Sequence, residues 1–512
     1  MSAAAVSADK IIAWEHEHPV QQASARKPVP PARPKVVAEN SLPGYPDWQI
    51  SNTGGAYDMV GYVGQSSVLQ GQPVTLYAST TARSFTVKVF RMGWYGGDQA
   101  RLVYSTPTVN GAVQAQATLR SGTNTVSTGW GSSVTLPTDD WPAGAYLLRM
   151  DAESGAQRFI PMTVRSPSTS GKVVIKASTA TWQAYNTWWG YDLYNGPAGA
   201  ADYDNRSLVV SMDRPFDGNG ADMFLAHEQP FIAVAERIGV PLAYISSIEI
   251  DNDPQLLNGA AALFSLGHDE YWSVPERTNV TAARDAGVNI AFMGANCCFR
   301  RIRYQDSPLG AQREVVCYKT SYSEDPMYGV NNTIVTNDYR EPPDPDPESS
   351  MTGTLYESNP TDASYIIATP DSWLFAGTGV QKGTSFPGMV GIEYDRVNPD
   401  VTVERPIQIV SHSPLTCRGI NSYSDSAYYT NSSGAGVFNA GTMRFIGSLD
   451  WQSYTEFGVN QSAATFVNQV CENLLRAFAE GPAADKYPAN DNLDAMNEWA
   501  GDPMAAQHNL WE

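Results

Sequence analysis

The chain has 512 residues, with 33 basic and 53 acidic side chains and a formal net charge of −20 at pH 7. That length exceeds what one hydrophobic core covers and predicts two to three domains, while the negative charge excludes a nucleic-acid backbone as a partner. Hydrophobic residues make up 42% and charged residues only 17%, which predicts a β-rich fold with a sparsely charged surface; no apolar run reaches the roughly 20 residues of a membrane helix.

Met1 to Lys10 has neither a charged n-region nor an apolar h-region, so no signal peptide is visible. The compartment stays open: secreted or cell-surface if an export signal has been removed, cytoplasmic otherwise. Residues 1–45 read as a tail, because Lys27-Pro28-Val29-Pro30-Pro31-Ala32-Arg33-Pro34 has the proline density of an extended linker. From 46 to 166 the pattern has period two. Val74, Leu76 and Ala78 alternate with Thr75, Tyr77 and Ser79, and the segments 86–91 and 146–150 repeat the habit between Gly and Pro punctuation. Short strands at this spacing predict an immunoglobulin-like antiparallel β-sandwich. Within it, Arg91 to Gly97 reads as a strand end followed by a glycine turn.

From 170 to 482 strands alternate with helices. Val173-Val174-Ile175, Leu242 to Ile245, Ala261 to Leu266 and Val288 to Met293 read as buried strands. Ala221 to Ile238 carries apolar residues at helical spacing, and Pro275 marks the first turn of a further helix. This order predicts an α/β domain with a doubly wound parallel sheet. Residues 320–450, with the acidic Pro-rich loop Glu341 to Glu348, read as an elaboration over that sheet. Phe466 to Ala479 reads as a closing amphipathic helix and 483–512 as an exposed tail. The cysteines, Cys297, Cys298, Cys317, Cys417 and Cys471, match no zinc spacing and read as buried thiols, with one Cys298–Cys317 bridge left open.

Ligands of open parallel sheets bind beyond the carboxyl ends of the strands. Three segments stand there: Thr181 to Tyr194, Gly267-His268-Asp269-Glu270-Tyr271-Trp272, and Gly294-Ala295-Asn296. In extended backbone His268 and Glu270 share one side and Asp269 takes the other. Such a cluster binds a metal or moves protons, or it caps the next helix with its acids. No Ser or Cys stands inside Gly267 to Trp272, which speaks against a nucleophile elbow. His227 and His412 read as satisfied structural residues, and Glu393 as a buried carboxylate, paired or catalytic. Trp182, Trp188, Trp189, Tyr271 and Trp272 are expected to line a narrow apolar pocket.

The blocks Thr181 to Asn186, Ser211-Met212-Asp213-Arg214-Pro215-Phe216, Gly267 to Trp272, Gly294-Ala295-Asn296 and Cys317-Tyr318-Lys319 occur in this order. Together they resemble the C-terminal region of the large, or beta, subunit of N,N-dimethylformamidase, over about 170–480. The resemblance implies a glutamine-amidotransferase-like α/β fold and a mononuclear ferric iron held by two tyrosinates and a glutamate. Tyr185, Tyr194 and Glu270 match those ligands, with Tyr191 competing for the second tyrosine. His268, Asn296, Lys319 and Glu393 match the surrounding polar groups expected to be catalytic. The implied activity is hydrolysis of a small amide C–N bond by iron-activated water, with a small accessory subunit or a homo-oligomer as the partner. Two other readings stay open: a non-catalytic extracellular carbohydrate-binding or adhesion protein, and a glycosidase using Glu270 and Glu393 as paired carboxylates.

Overall fold

The structure, a computed structural model, describes residues 35–398 and 401–496. The Pro-rich segment Lys27 to Pro34 lies outside them. The tail expected up to residue 45 does not extend that far: Lys35–Glu39 is a short helix with Val36 buried.

Two β layers form the front of the molecule. One has three strands, Met59–Val63, Val74–Thr80 and Val134–Leu136; the other is built on Ser67–Leu69, Gln157–Arg165, Gly144–Ala152, Ser84–Met92 and Ala100–Ser105. Neighbours are antiparallel except that Ser67–Leu69 runs parallel to Gln157–Arg165. Between the layers lie Leu76, Val87, Val89, Leu148, Ile160 and Val164, all buried. Each such side chain contributes about 1.5–3 kcal/mol by leaving water. This is the two-layered sandwich the alternation predicts. Alternation along Ser84–Met92 stops at Phe90, after which every residue is buried. The reason is that Phe90 and Met92 on the outer face pack against helix Gln229–Ile238 of the rear part.

At that seam Arg91 makes a bidentate, buried ion pair with Glu236, at 2.8 and 3.1 Å. Asn40 and Tyr244 also donate to Glu236, and Tyr95 accepts from Arg91 at 2.8 Å. The segment read as a strand end followed by a glycine turn is that, and its Arg91 and Tyr95 also supply polar contacts between front and rear.

The rear is organised on seven strands: β1 Val173–Ala177, β2 Leu242–Ser246, β3 Ala262–Ser265, β4 Asn289–Phe292, β5 Ile407–Cys417, β6 Ile420–Thr430 and β7 Gly436–Asn439. Their spatial order is β2-β1-β3-β4-β7-β6-β5. The first five of that list are parallel, and β6 and β5 extend the sheet antiparallel. β1 is apolar throughout its first three residues because both faces are covered: Val173 and Ile175 enter one core and Val174 the other. Chain order reverses between β1 and β3, which opens a crevice at their carboxyl ends.

Three expectations fail here. Residues 320–450 are no mere elaboration, since β5, β6 and β7 belong to the sheet itself. The β5–β6 hairpin turns on Arg418 and Gly419, both at positive φ, a geometry usually announced by Asn-Gly. The helix over 221–238 is two helices, Asp222–His227 and Gln229–Ile238. Pro230 has no N–H to give the preceding turn and its ring crowds it, so the helix restarts. Residues 483–496 are not an exposed tail: Ala483, Ala489 and Leu493 are buried, and Asn492 exchanges hydrogen bonds with the backbone of Ile409. The closing helix spans Gln461–Ala479, capped by Asn460. All five cysteines are buried free thiols, and Cys298 and Cys317 are not bridged.

Candidate active site

Each strand end of the crevice delivers its side chains by a local device. Beyond β1 the helix Thr179–Ala184, buried along its whole length, ends at Tyr185. The loop that follows is pinned twice. The Asp192 carboxylate accepts the backbone N–H groups of Tyr194 and Asn195 at 2.7 and 2.6 Å, and the buried Arg214 donates to the carbonyls of Tyr191 and Asn186. Beyond β3 the chain bends at Gly267, whose φ is +50° and where a Cβ would stand 2.4 Å from the His227 carbonyl oxygen. Beyond β4 a Cβ on Gly294 would meet the Gly267 carbonyl at 1.6 Å, so only two glycines let these loops touch.

His268 and Glu270 then face one side, and Asp269 the other. Asp269 pairs with Lys176 of β1 at 2.7 Å and accepts from Ser265 at 2.6 Å. Lys176 also pairs with Glu276 and lies 3.7 Å from the centre of the Trp272 ring. Asp269 is thus spent on holding its loop to the sheet.

On the other side two phenols and one carboxylate converge. Tyr185 and Tyr194 each donate to Glu270, at 2.6 and 2.7 Å, and their hydroxyls are 3.1 Å apart. Tyr191 turns its ring into a cluster with Val60, Tyr62, Trp130 and Trp188, so of the two candidate tyrosines Tyr194 is the one at Glu270. His268 Nε2 stands 3.0 Å from the Tyr185 hydroxyl, and its Nδ1 3.5 Å from Glu393. Glu393 accepts from Asn296 Nδ2 at 3.0 Å and from Asn359 Nδ2 at 3.2 Å. Asn296 holds φ +57°, and its backbone N–H donates to Asp395 at 2.7 Å. Lys319 places its Nζ 3.0 Å from the centre of the Tyr194 ring. The structure therefore brings all seven residues singled out in the sequence into one cluster, five of them buried and Tyr185 and Tyr194 half-buried.

The cluster sorts its charges. Burial raises both phenols well above their ordinary range, and the Glu270 charge raises them further. Burial opposes ionisation of Glu270, but the His268 hydrogen bond and the Arg300 charge hold it down to about 2. Burial likewise opposes His268, and Glu393 and then Glu270 carry it up to about 9. Burial, with repulsion from Arg300, lowers Lys319 to about 7. Glu393 is raised, by burial first and Glu270 second.

Three further residues belong to the cluster. Tyr271 donates to the Tyr194 hydroxyl at 2.7 Å, Arg300 donates to Glu270 at 3.1 Å, and Asn359 holds Glu393. Tyr271 follows Glu270 directly, and in an ideal strand it would face away; the backbone here does not keep that alternation. Arg300 follows the third crevice loop within four residues of Asn296, a signal the reading passed over. The expected aromatic pocket is not formed. Trp182, Trp272 and Trp188 lie in three separate cores, and Trp189 is exposed. Period within a loop does not fix which core a ring enters.

His227 packs its ring 6.0 Å from that of His268, and His412 bonds Asp425 at 2.7 Å. Next to the crevice, the fully buried Glu228 accepts from Ser178 N–H and Trp182 Nε1, at 3.2 and 2.8 Å. Burial pushes its carboxyl up to about 8. The folded state therefore keeps a proton that the unfolded chain releases near pH 4.5, so stability falls as pH rises from 4.5 to about 8 and is level above that. Glu228→Gln offers the same acceptor oxygen without a charge. Denaturant titrations should give equal stabilities near pH 5 and a variant more stable by a few kcal/mol near pH 9; equal stabilities at both pH values would contradict a neutral Glu228.

A family model described as N,N-dimethylformamidase beta subunit-like, C-terminal, matches residues 86–458. The match begins inside strand Ser84–Met92 and takes in the whole seven-stranded sheet and all seven site residues. No curated protein matches. Among solved structures, a Paenibacillus sp. cycloisomaltooligosaccharide glucanotransferase complexed with cycloisomaltoheptaose aligns at 15% identity and a TM-score of 0.15, over 28% of this chain and 19% of that chain. The chain thus spans about a fifth of that enzyme's length, and the likeness carries no argument about fold or function.

Proposed function

The chain belongs to the N,N-dimethylformamidase beta subunit-like family, and on that premise we propose that it is an iron-dependent amidohydrolase cleaving the C–N bond of a small amide. The observation that carries the reading is the convergence of the Tyr185, Tyr194 and Glu270 oxygens within 2.6–3.1 Å of one another. The division into a front sandwich (46–166) and a rear, glutamine-amidotransferase-like α/β domain (170–482) is part of the same proposal, supported by the two β layers and the parallel order of β2, β1, β3, β4 and β7.

The donor chemistry fits the metal. Among the described residues no three His, Cys, Asp or Glu side chains cluster as a metal site, so a zinc-type centre has little to recommend it. Two phenols and one carboxylate make three hard anionic donors once a trivalent cation replaces the phenolic protons, and ferric iron suits that set. Buried phenols that resist ionisation alone lose that penalty beside such a charge. When bound, the ion supplies Lewis-acid polarisation of an amide carbonyl.

The chain's own residues do the rest. Glu393, with its raised pKa, takes a proton from the attacking water and returns it to the leaving amine. Asn296 and Asn359 hold the Glu393 carboxylate in place. His268 spans Tyr185 and Glu393 and steadies negative charge as it develops. Lys319 Nζ has no hydrogen-bond partner among the described residues and can donate to the oxyanion. Asn296 orients the carbonyl. Water is the nucleophile, because burial raises the Cys297 and Cys298 thiols and no Ser stands in the turn. The glycosidase reading fares worse: Glu270 is turned toward two phenols and Arg300, a setting that suits a fixed carboxylate donor and not an acid paired with Glu393 across a sugar. A small accessory subunit or a homo-oligomer remains part of the proposal.

Protein from iron-replete cells should carry about one ferric iron per chain and a broad visible tyrosinate band, and should hydrolyse members of a panel of small amides and formamides. Colourless, iron-free protein, or sugar release from glycans with no amide turnover, would overturn the reading. Asn296→Gly, chosen because Gly tolerates the positive φ, should keep iron and lower kcat by about 10²–10³, the cost of one oxyanion-orienting donor. Full activity in that variant would remove Asn296 from the mechanism.

A further inference from the structure

The two phenol oxygens at Glu270 have different outer neighbours. Tyr185 faces the His268 ring nitrogen at 3.0 Å. Tyr194 accepts a hydrogen bond from the Tyr271 hydroxyl at 2.7 Å. Tyr271 is completely buried, in the first position of strand Tyr271–Ser273, which pairs in parallel with Arg300 to Ile302. Its ring belongs to one buried cluster with Ala180, Ala184, Leu193, Ile302 and Cys317.

We propose that Tyr271 is a positioning residue that donates a hydrogen bond to the Tyr194 oxygen while that oxygen serves as a negatively charged iron ligand. This rests on the reading of Tyr185, Tyr194 and Glu270 as the donors. Tyr271 then gives Tyr194 what His268 gives Tyr185: one fixed N–H or O–H that aims the oxygen and tempers its charge. Partners of this kind commonly set ligand orientation and basicity. Tyr271 carries no proton to substrate; it acts through Tyr194 alone. A residue needed only to fill the core would place the same ring there without its oxygen.

The physics gives a signature apart from activity. A hydrogen bond lowers the energy of the electrons on a phenolate oxygen, so moving one of them to ferric iron costs more. Removing the donor makes that transition cheaper, and the visible band moves to longer wavelength. Tyr271→Phe keeps the ring and deletes only the hydroxyl. At saturating iron the variant should hold as much iron as the unmodified protein, with the band at longer wavelength and iron affinity about 10–100-fold weaker against a chelator. Tyr191→Phe, which touches a different cluster, should leave the band where it was. A coloured parent with an unmoved Tyr271→Phe band overturns the inference and leaves the iron reading standing. A colourless, iron-free parent overturns the iron reading and the inference with it. If Tyr271→Phe does not fold, resonance Raman spectra of the unmodified protein in H₂O and D₂O decide: two tyrosinate modes moving on deuteration support the inference, and one moving mode overturns it.

Discussion

Glu270→Gln is expected to empty the site: iron content should fall from about one per chain to near zero, and amide turnover should vanish with it. The substitution removes an anionic donor, and it also breaks the arrangement that holds the donors ready. One Glu270 oxygen accepts from Tyr194 and Arg300, the other from Tyr185. An amide turned to give its oxygen to Arg300 meets the Tyr185 hydroxyl and the His268 ring with an NH₂ group. A buried donor left facing donors costs about 1–3 kcal/mol, which the metal-free variant should show as lost stability. Metal analysis, the visible spectrum and a denaturant titration on one preparation check all three. Retained iron at parental stoichiometry would take Glu270 out of the ligand set.

The second large effect lies at the seam. Glu236→Leu should destabilise the protein by about 3–5 kcal/mol, because the Arg91 guanidinium would stay buried without its counter-charge. Arg91→Met combined with Glu236→Leu should recover part of that loss, since the unpaired buried charge is gone while Tyr244 and Asn40 still lose their acceptor. Equilibrium unfolding of the two single variants and the double variant measures the coupling directly. A cost below about 1 kcal/mol for Glu236→Leu would mean that water reaches the pair and screens it.

Much of this was legible in the chain. Strict alternation announced the front layers, and continuous apolar runs announced β1, β3 and β4, because a strand covered on both faces has no polar side to show. The crevice followed from strand order, and the meeting of the seven candidate residues from their loops together with the family resemblance. What escaped depends on contacts between distant segments. The β5–β6 hairpin carries buried serines and a half-buried His412, where Ser411 meets Ser413 and His412 meets Asp425. Such strands look polar until their partners are known. Pro230 was the local sign that the 221–238 helix divides. Tyr271 and Trp272, adjacent in a short strand, point to opposite faces as alternation requires, but which core each ring enters follows from how the loop leaves β3.

The Arg91–Glu236 contact also bears on how this chain can change over generations. Both members are buried and bidentate, and Tyr95, Asn40 and Tyr244 complete the same network. A first replacement on either side is penalised until the second arrives, so drift at positions 91 and 236 should proceed in pairs. Relatives that keep one charge should keep both, and those that lose the arginine should show an uncharged residue on the facing helix. An exchange of front sandwiches between two such relatives would succeed or fail on whether these positions travel together.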